Sequence, residues 1–250
     1  MPRLITLLTD FGTADGYVGE MKGVLASLAP QTPVVDIAHD VAPHDVEAAR
    51  LALARYWRRF PEGTVHLVVV DPGVGSARGA LAASSEGRFF VGPDNGVLSP
   101  ALLHGDARCV TIAIPPGAAP TFHGRDVFAP AAAQLALGAS LESLGDDAET
   151  PVIRRTPEAT RRDDGAVQGE VITVDRFGNA VTNLLAMRGG QVQVNGLSLT
   201  LRRTYADAAE GEPIALVGSS GLVEIAVRDG RASEKLGLTR GSAVVLLPRS

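Results

Sequence analysis

The sequence predicts an α/β protein, with a Rossmann-like N-terminal domain whose sheet is sandwiched between helices and a smaller C-terminal β-barrel domain. In residues 1–150, strand-like and helix-like segments alternate, which is typical of a mainly parallel sheet covered by helices. In residues 169–250, short strand-like runs follow one another with glycines at the breaks, which favours a small barrel or sandwich. Residues 151–168 between them are rich in turn-forming residues and are predicted to be a linker.

The N-terminal elements follow from apolar runs and helical periodicity. The runs predict strands at 4–9, 34–37, 65–70, 80–83, 89–91 and 110–114. Helices are predicted at 16–28, 45–59 and 126–138. The second is the best marked, because Asp45 can cap its N-terminus and apolar residues from Val46 to Phe60 recur at helical spacing. Asp126 is the candidate cap of the third helix.

A change of texture near residue 145 separates these elements from the C-terminal strands. Charged, turn-rich stretches with two prolines assign residues 145–168 to connecting structure. Six strands are predicted after it, at 169–175, 191–195, 197–203, 213–218, 222–227 and 243–247.

Composition excludes several classes of protein. The net charge of −5 argues against nonspecific binding to nucleic acid, which requires a basic surface. The single cysteine, Cys109, rules out an intrachain disulfide and indicates a reducing compartment, so we predict a cytoplasmic protein with a buried, inert thiol. No apolar run approaches the ~18 residues of a membrane span, and the first one is too short for a signal peptide, so we expect no membrane association.

Two predicted strands end in aspartates, which marks the first candidate site. Residues 65–70 run into Asp71, followed by a Pro/Gly turn and Arg78, and residues 4–9 run into Asp10. In an α/β sheet, ligands bind beyond the carboxyl ends of the strands, so both carboxylates stand where chemistry occurs. From the residues alone, a turn-capping Asp and a surface Arg remain an alternative. A phosphate loop is disfavoured because Gly-Lys-Ser/Thr is absent.

His123 is the next candidate, in the segment PTFHGRD just before a predicted helix. The positive end of the helix dipole disfavours imidazolium, so the ring should stay neutral and suit a base or a hydrogen-bond partner. An incidental loop histidine is the alternative.

Two C-terminal segments carry further polar groups. Asp175, Phe177 and Asn179 offer a carboxylate, an aromatic face and an amide that can pair with a purine edge. Glu224 interrupts an apolar strand and, if buried, needs a cation or several donors. A strand-ending turn and an outward-facing strand position are the respective alternatives.

Together these segments resemble the S-adenosyl-L-methionine (SAM) hydroxide adenosyltransferases, adenosine-forming hydrolases related to the fluorinases and chlorinases. The resemblance covers nearly the whole chain and rests on the number, order and spacing of its motifs. The motifs are TDFG at 9–12, VAPHDV at 41–46, DPGVGSAR at 71–78, GPDNG at 92–96, FHGRD at 122–126, DRFGN at 175–179 and SSGLVEIAV at 219–227.

This resemblance implies that water attacks C5′ of SAM, giving adenosine and methionine without a cofactor. It implies that Asp71, Arg78 and His123 activate the water and that Asp10 holds the ribose diol. It also implies a homotrimer, with each site formed by the N-terminal domain of one subunit and the C-terminal domain of its neighbour. The other substrate contacts that it implies, some of them shared with the candidates above, are Asp175, Phe177, Asn179, Tyr205, Ser219, Glu224 and Val227.

Two departures distinguish this chain from the halogenating relatives. Those enzymes carry a long insertion where residues 83–89 form a short connection here, and they lack both the carboxylate at Asp71 and the histidine at His123. A carboxylate repels a halide but accepts a hydrogen bond from water, so both departures indicate water as the nucleophile. The five histidines are scattered and there is no cysteine pair, so no metal site is predicted.

Three alternatives stay open at this point. The first is a halide-using adenosyltransferase. The second is a protein that binds SAM or adenosine without turnover. A nucleotide phosphotransferase is a distant third.

Overall fold

The computed structural model of the chain describes residues 3–185 and 190–248. It divides into two compact units, one ending at Arg154 and the other beginning at Arg155. Within the described residues, the first unit holds a seven-stranded sheet and the second holds an eight-stranded sheet that closes on itself.

The sheet of the first unit is mixed rather than mainly parallel. Its described strands lie in the order β2-β1-β3-β5-β4-β6-β7. The pairs from β2 to β5 are parallel, whereas β5–β4, β4–β6 and β6–β7 are antiparallel. The strand bounds are β1 Ile5–Thr9, β2 Val34–Ala38, β3 Val65–Val69, β4 Ala80–Ser85, β5 Arg88–Pro93, β6 Arg108–Ile112 and β7 Gly145–Asp147.

A two-residue turn explains the antiparallel half of the sheet. Glu86 and Gly87 connect β4 to β5, and both have positive φ angles, of 46° and 70°. Turns of this kind match the twist of two strands in a hairpin, and a hairpin is antiparallel. The expectation of a mainly parallel sheet was therefore wrong beyond β5.

A second expectation was also wrong. Composition assigns residues 145–147 to connecting structure, but in the structure they form strand β7. The strand pairs with β6 at the edge of the sheet. Gly145 makes the pairing possible, because a Cβ at this position would lie 1.8 Å from the carbonyl oxygen of Thr111. A three-residue polar edge strand carries no apolar alternation, which is the signal used to predict strands.

Helices cover both faces of this sheet, which confirms the sandwich. Alternate residues of β3 face opposite sides, so Leu67 packs with the helix at 17–28, whereas Val68 packs with the helix at 46–56. The α-helices in the described part of this unit are α1 Tyr17–Leu28, α2 Val46–Tyr56, α3 Ser99–Leu102 and α4 Ala129–Ala136.

The two predicted helix caps differ in outcome. The Asp45 carboxylate accepts a hydrogen bond from the Ala48 N–H at 2.9 Å, which confirms it as the cap of α2. Asp126 is not a cap, because a π-helical turn at Gly124–Phe128 precedes α4 and Asp126 lies inside it. That turn begins directly after His123.

A buried histidine in β3 makes the first unit sensitive to acid. His66 is fully buried among the rings of Tyr56, Phe60 and Phe90, and its Nδ1 lies 2.8 Å from Oγ1 of Thr6. Burial, with a smaller contribution from the charge of Arg88, lowers the pKa of His66 to about 3.

We predict that the unfolding free energy falls as the pH drops below about 6.5, the ordinary histidine pKa. The unfolded chain then binds a proton at His66 that the folded protein does not bind. This residue alone therefore lowers the unfolding free energy by roughly 2–3 kcal/mol near pH 4.5. Urea denaturation over a pH series should show a shallower slope of unfolding free energy against pH for His66→Phe. The control His104→Phe, at a half-exposed histidine, should keep the wild-type slope. Equal slopes for wild type and His66→Phe would contradict this role.

The second unit is a closed barrel, as predicted. The described strands follow the order β10-β14-β13-β12-β11-β15-β9-β8, and an additional β9–β10 pairing closes seven of them into a barrel. The strands are β8 Thr160–Arg161, β9 Val167–Val174, β10 Ala180–Leu185, β11 Gln191–Val194, β12 Leu197–Arg202, β13 Pro213–Val217, β14 Leu222–Val227 and β15 Ala243–Leu246, with a short helix α5 at Ala232–Lys235.

The barrel encloses its own apolar core, which includes Val171, Leu184, Val192 and Ile225. Across the described residues of both units, no helix has the length and apolarity needed to cross a membrane.

Candidate active site

Asp10 and Asp71 follow two neighbouring parallel strands. Asp10 comes directly after β1, and Asp71 follows β3 by one residue. The chain passes from β1 to β2 on one side and then returns to β3 on the other, so the strand order reverses between β1 and β3. A crevice forms at such a switch point, outside the carboxyl ends of the strands. The predicted carboxylates therefore lie at the edge of the sheet where ligands bind in this fold class.

Asp71 and Arg78 form a nearly buried ion pair within one loop. The Arg78 Nε donates to Oδ1 of Asp71 at 2.9 Å, and Nη2 donates to Oδ2. The side chain of Asp71 is 4% exposed and that of Arg78 is 9% exposed. A planar guanidinium that binds both carboxylate oxygens fixes the carboxylate in orientation as well as in position.

His123 joins this pair through the same arginine. Its Nδ1 lies 2.9 Å from Nη2 of Arg78, and the residue is 4% exposed. A guanidinium has only donors, so Nδ1 accepts, and the proton of the neutral ring lies on Nε2. Arg78 thus holds Asp71 and His123 together, and we refer to these three residues as the Asp71–Arg78–His123 trio.

Burial, and then the positive charge of Arg78, lower the pKa of His123, while Asp71 and Asp126 raise it in part. The imidazole is therefore neutral at pH 7. The sequence suggested a neutral ring from the helix dipole, whereas desolvation and a neighbouring cation are the main causes.

An ion-pair network holds the segment that carries His123. The Asp126 carboxylate accepts from the Ala119 N–H at 2.9 Å and from Nε of Arg125 at 2.7 Å. Arg125 also donates to Glu20 on α1 at 2.7 Å. Asp126 thus ties together the loop around His123 instead of capping the helix after it.

An aromatic cleft with a volume of about 410 Å³ lies next to Glu20, Ala119 and Arg125 of this network. Phe11 follows Asp10, and Phe122 precedes His123. Together with Tyr17 they form edge-to-face ring contacts with centroids 5.3–6.1 Å apart. Sequence reasoning missed Phe11 and Tyr17 as lining residues. The position of Phe11 beside Asp10 was a visible signal, whereas Tyr17 had none. The lining residues are Phe11, Tyr17, Glu20, Ala119, Thr121, Phe122 and Arg125.

Asp175 and Asn179 close the loop between β9 and β10. The Asn179 backbone N–H donates to Oδ1 of Asp175 at 2.9 Å, and its Nδ2 donates to Oδ2 at 3.0 Å. A side-chain amide has two N–H groups and an acceptor oxygen, so Asn179 can still pair with a purine edge after this bond. Phe177 between them is 74% exposed.

Tyr205 and Glu224 meet at the same barrel. The Tyr205 hydroxyl donates to Oε2 of Glu224 at 3.2 Å, and Glu224 is 9% exposed. Partial burial and the nearby charges of Glu224 and Asp175 raise the pKa of Tyr205. Glu224 lies against Gly218, where a Cβ would come within 1.8 Å of its Oε1. Val223 and Ile225 lie in the barrel core, so Glu224 between them faces outward, as the alternative expected, but it is buried there and not solvated.

The other two barrel candidates lie in different environments. Ser219 is exposed in the turn between β13 and β14. Val227 packs its side chain into the barrel core, and its carbonyl oxygen accepts a hydrogen bond from the Gly230 N–H at 3.2 Å.

Comparison with known proteins assigns the chain to a family. Residues 5–145 match the model of the SAM hydroxide adenosyltransferase N-terminal domain, and residues 169–245 match that of the C-terminal domain. The chain belongs to the SAM hydroxide adenosyltransferase family. It is 48% identical to an (R)-S-adenosyl-L-methionine hydrolase from Thermus thermophilus, over 98% of this chain and all of that protein. The resemblance inferred from the motifs is confirmed.

Further matches fit a SAM hydroxide adenosyltransferase. A crystal structure of an uncharacterized conserved protein from Thermotoga maritima superimposes with a TM-score of 0.88 at 34% identity, covering 98% of this chain and all of that one. This similarity confirms the fold class. A fluorinase from Actinopolyspora mzabensis matches at 29% identity over 96% of both chains.

No metal cluster accompanies the candidate site in the part of the chain that the structure describes. No group of three or more His, Cys, Asp or Glu residues there is arranged to hold a metal ion. Cys109, on β6, is partly buried and not fully buried as expected, and burial raises the pKa of its thiol to about 12, which disfavours the reactive thiolate.

Proposed function

We propose that this protein hydrolyses SAM to adenosine and L-methionine by attack of an activated water at C5′ of the ribose. The observation that carries this proposal is the Asp71–Arg78–His123 trio, nearly buried at the switch point of the sheet. The 48% identity to an (R)-S-adenosyl-L-methionine hydrolase over almost the whole chain supports the substrate and the reaction.

The chemistry requires positioning and a proton acceptor. The sulfonium of SAM is a good leaving group, so C5′ needs only a nucleophile in line with the C–S bond. Water is the difficulty, because its pKa of about 15.7 leaves almost no hydroxide at neutral pH. Holding one water about 3–3.5 Å from C5′ supplies several kcal/mol. General base catalysis adds a factor of about 10²–10⁴.

The hydrogen bonds of the trio favour Asp71 as the proton acceptor. Nδ1 of His123 already accepts from Arg78, so the neutral ring offers an N–H donor at Nε2. Each carboxylate oxygen of Asp71 has more than one lone pair, so it can accept from water while it accepts from Arg78. In this proposal the water oxygen bonds to C5′, its proton goes to Asp71, and the C–S electron pair leaves with methionine. His123 orients the water, and Arg78 holds both partners in place.

Asp10 is proposed to hold the ribose diol. Its Oδ2 accepts from the His44 N–H at 2.8 Å, which fixes the carboxylate beside the crevice. We expect Asp10→Ala to weaken the binding of SAM and adenosine alike, because both carry the vicinal diol. Isothermal titration should show the two losses to be similar, and Asp146→Ala, on the edge strand β7, should bind as wild type does. Equally tight binding of adenosine and 2′,3′-dideoxyadenosine to the wild type would contradict this role.

We further propose a homotrimer whose sites combine the first unit of one subunit with the barrel of its neighbour. Asp10 and the trio belong to the first unit, whereas the candidates from Asp175 to Val227 belong to the barrel. The barrel groups offer an amide, aromatic rings and carboxylates, which suit the adenine and the amino group of methionine.

Mixed refolding tests this assembly. The inactive variants His123→Ala and Asn179→Ala are expected to regain part of the wild-type activity when refolded together, because some sites then combine an intact half from each chain. A monomer by light scattering, or no recovery despite proven subunit exchange, would contradict it.

Product analysis separates hydrolysis from the alternatives. A carboxylate at position 71 disfavours a halide nucleophile. Incubation with SAM in buffer containing chloride or fluoride is therefore expected to give adenosine and methionine by chromatography. A 5′-halogenated adenosine as the main product would favour halide transfer, and tight binding without product would favour a binding protein. The absence of a cofactor and the cytoplasmic location stay predictions.

A further inference from the structure

The loop that carries Asp71 and Arg78 is anchored at both ends by one neighbouring segment. At its start, Nδ2 of Asn95 donates to the carbonyl oxygen of Val70 at 2.9 Å. At its end, the Asp94 N–H donates to the carbonyl oxygen of Gly79 at 2.9 Å. Val70 immediately precedes Asp71, and Gly79 immediately follows Arg78. Two consecutive residues after β5 therefore hold the two ends of the loop.

The Val70 carbonyl needs such a partner. Val70 is fully buried, and the pairing of β3 with β5 extends only to Leu67 opposite Val91. A buried carbonyl without a hydrogen-bond partner costs free energy. The amide of Asn95 supplies the donor that the pairing of β3 with β5 does not give to the Val70 carbonyl. β5 approaches β3 closely enough for this, since a Cβ at Gly92 would lie 2.4 Å from the carbonyl oxygen of Val68.

Asn95 is itself held in one orientation. Its Oδ1 accepts from the Val97 N–H at 3.1 Å, which directs Nδ2 toward Val70. Its backbone carbonyl accepts from Nε of Arg154 at 2.8 Å.

We propose that Asn95 is a positioning residue for the hydrolysis, which sets the Asp71 carboxylate against Arg78 and His123 by holding the Val70 carbonyl. This inference rests on the proposed function. Among its described hydrogen bonds, Asn95 makes none to the trio, so it acts through the backbone. Displacing reacting groups by about 1 Å can lower a rate by about 10²-fold, so a lost anchor should appear in kcat.

Asn95→Asp tests this with little change of shape. The variant keeps the acceptor for Val97 but turns a carboxylate toward the Val70 oxygen. We expect kcat at neutral pH to fall about tenfold or more, with KM within roughly threefold of wild type. The ratio of the variant kcat to the wild-type kcat should rise as the pH falls, because the protonated carboxyl can donate to the Val70 carbonyl oxygen. The neighbouring charges are Asp94, adjacent in the chain, and Arg154, bound to the Asn95 carbonyl.

Two further variants sharpen the result. Asn95→Ala removes the amide donor without adding charge, so its deficit in kcat should stay constant with pH, and it decides the question if Asn95→Asp does not fold. Asn195→Asp is the matched control, because Asn195 also donates from Nδ2 to a backbone carbonyl, that of Leu236 at 2.8 Å, in the barrel. The control should keep the wild-type kcat and pH profile.

An NMR titration of His123 in the ligand-free protein gives a readout independent of turnover. Asn95→Asp should shift the titration, and Asn195→Asp should not. An unchanged kcat in a folded Asn95 variant, a deficit of Asn95→Asp that stays flat with pH, or an unshifted His123 titration would overturn the proposal. If wild type releases no adenosine, the proposed function fails, and the NMR titration alone decides whether Asn95 positions the trio.

Discussion

Replacing Arg78 with alanine is expected to lower kcat for SAM by about 10²-fold or more. Arg78 makes the bonds that connect the Asp71 carboxylate to the His123 ring. Its loss leaves a carboxylate that is 4% exposed without its cation, which typically destabilises a protein by about 3–5 kcal/mol. The rate and the melting temperature should therefore both fall.

Asp71→Asn separates catalysis from substrate binding. The amide keeps the shape of the side chain but removes the proposed proton acceptor. We expect a similar fall in kcat with substrate binding within roughly tenfold of wild type. Stopped-assay kinetics with isothermal titration measures both quantities.

The chain supplies its own control for Arg78. At the opposite edge of the sheet, Arg58 binds both oxygens of Glu86 and contacts His104 at 2.7 Å, a similar arrangement of carboxylate, arginine and histidine. This group is much more exposed, with Arg58 at 46%, and lies away from the switch point. Arg58→Ala should keep the wild-type kcat. If Arg78→Ala stays within threefold of wild type, or Arg58→Ala loses as much activity, the proposed role of Arg78 is wrong.

His123→Ala is expected to lower kcat by about 10²-fold or more, and wild type should lose activity only at acid pH. Burial and Arg78 lower the pKa of His123. The ring is therefore still neutral at pH 6.5, the ordinary histidine pKa, and becomes protonated only at lower pH. Protonation puts a hydrogen on Nδ1, which then faces a guanidinium that can only donate. The bond to Arg78 is lost and kcat falls with it.

A pH–rate profile combined with an NMR titration of His123 checks this prediction. The ring should titrate below pH 6.5, and kcat should be flat near pH 7. His104→Ala is the matched control and should keep both rate and profile. A His123 titration at or above pH 6.5, or nearly full activity in His123→Ala, would make this histidine a structural residue and leave Asp71 alone in the proposed chemistry.

The sequence predicts the fold well where the signal is local. Apolar strands that end at Asp10 and Asp71 place two carboxylates at one sheet edge, and the cap at Asp45 follows from residue type alone. The antiparallel half of the sheet depends on the Glu86-Gly87 turn, where a glutamate adopts a positive φ that its type does not favour. The edge strand at residues 145–147 depends on pairing with β6 and has no local signal.

The candidate site, too, could be predicted only where its contacts are local in the sequence. Asp71 and Arg78 are seven residues apart in one loop, so their pairing is within reach of a sequence pattern. His123 comes 45 residues later, and only the folded chain brings its Nδ1 to Arg78 and fixes its tautomer. The bond from Asn95 to Val70 spans 25 residues and involves a backbone atom, so no residue pattern could indicate it.

Incubation of the protein with SAM in ¹⁸O-labelled water tests the central claim most directly, because the mass of the released adenosine reports the reaction and the nucleophile together. We expect ¹⁸O at the 5′ oxygen of adenosine and none in methionine, since water bonds to C5′ and the sulfur leaves with its electron pair. Unlabelled adenosine, or a 5′-halogenated product, would contradict the account.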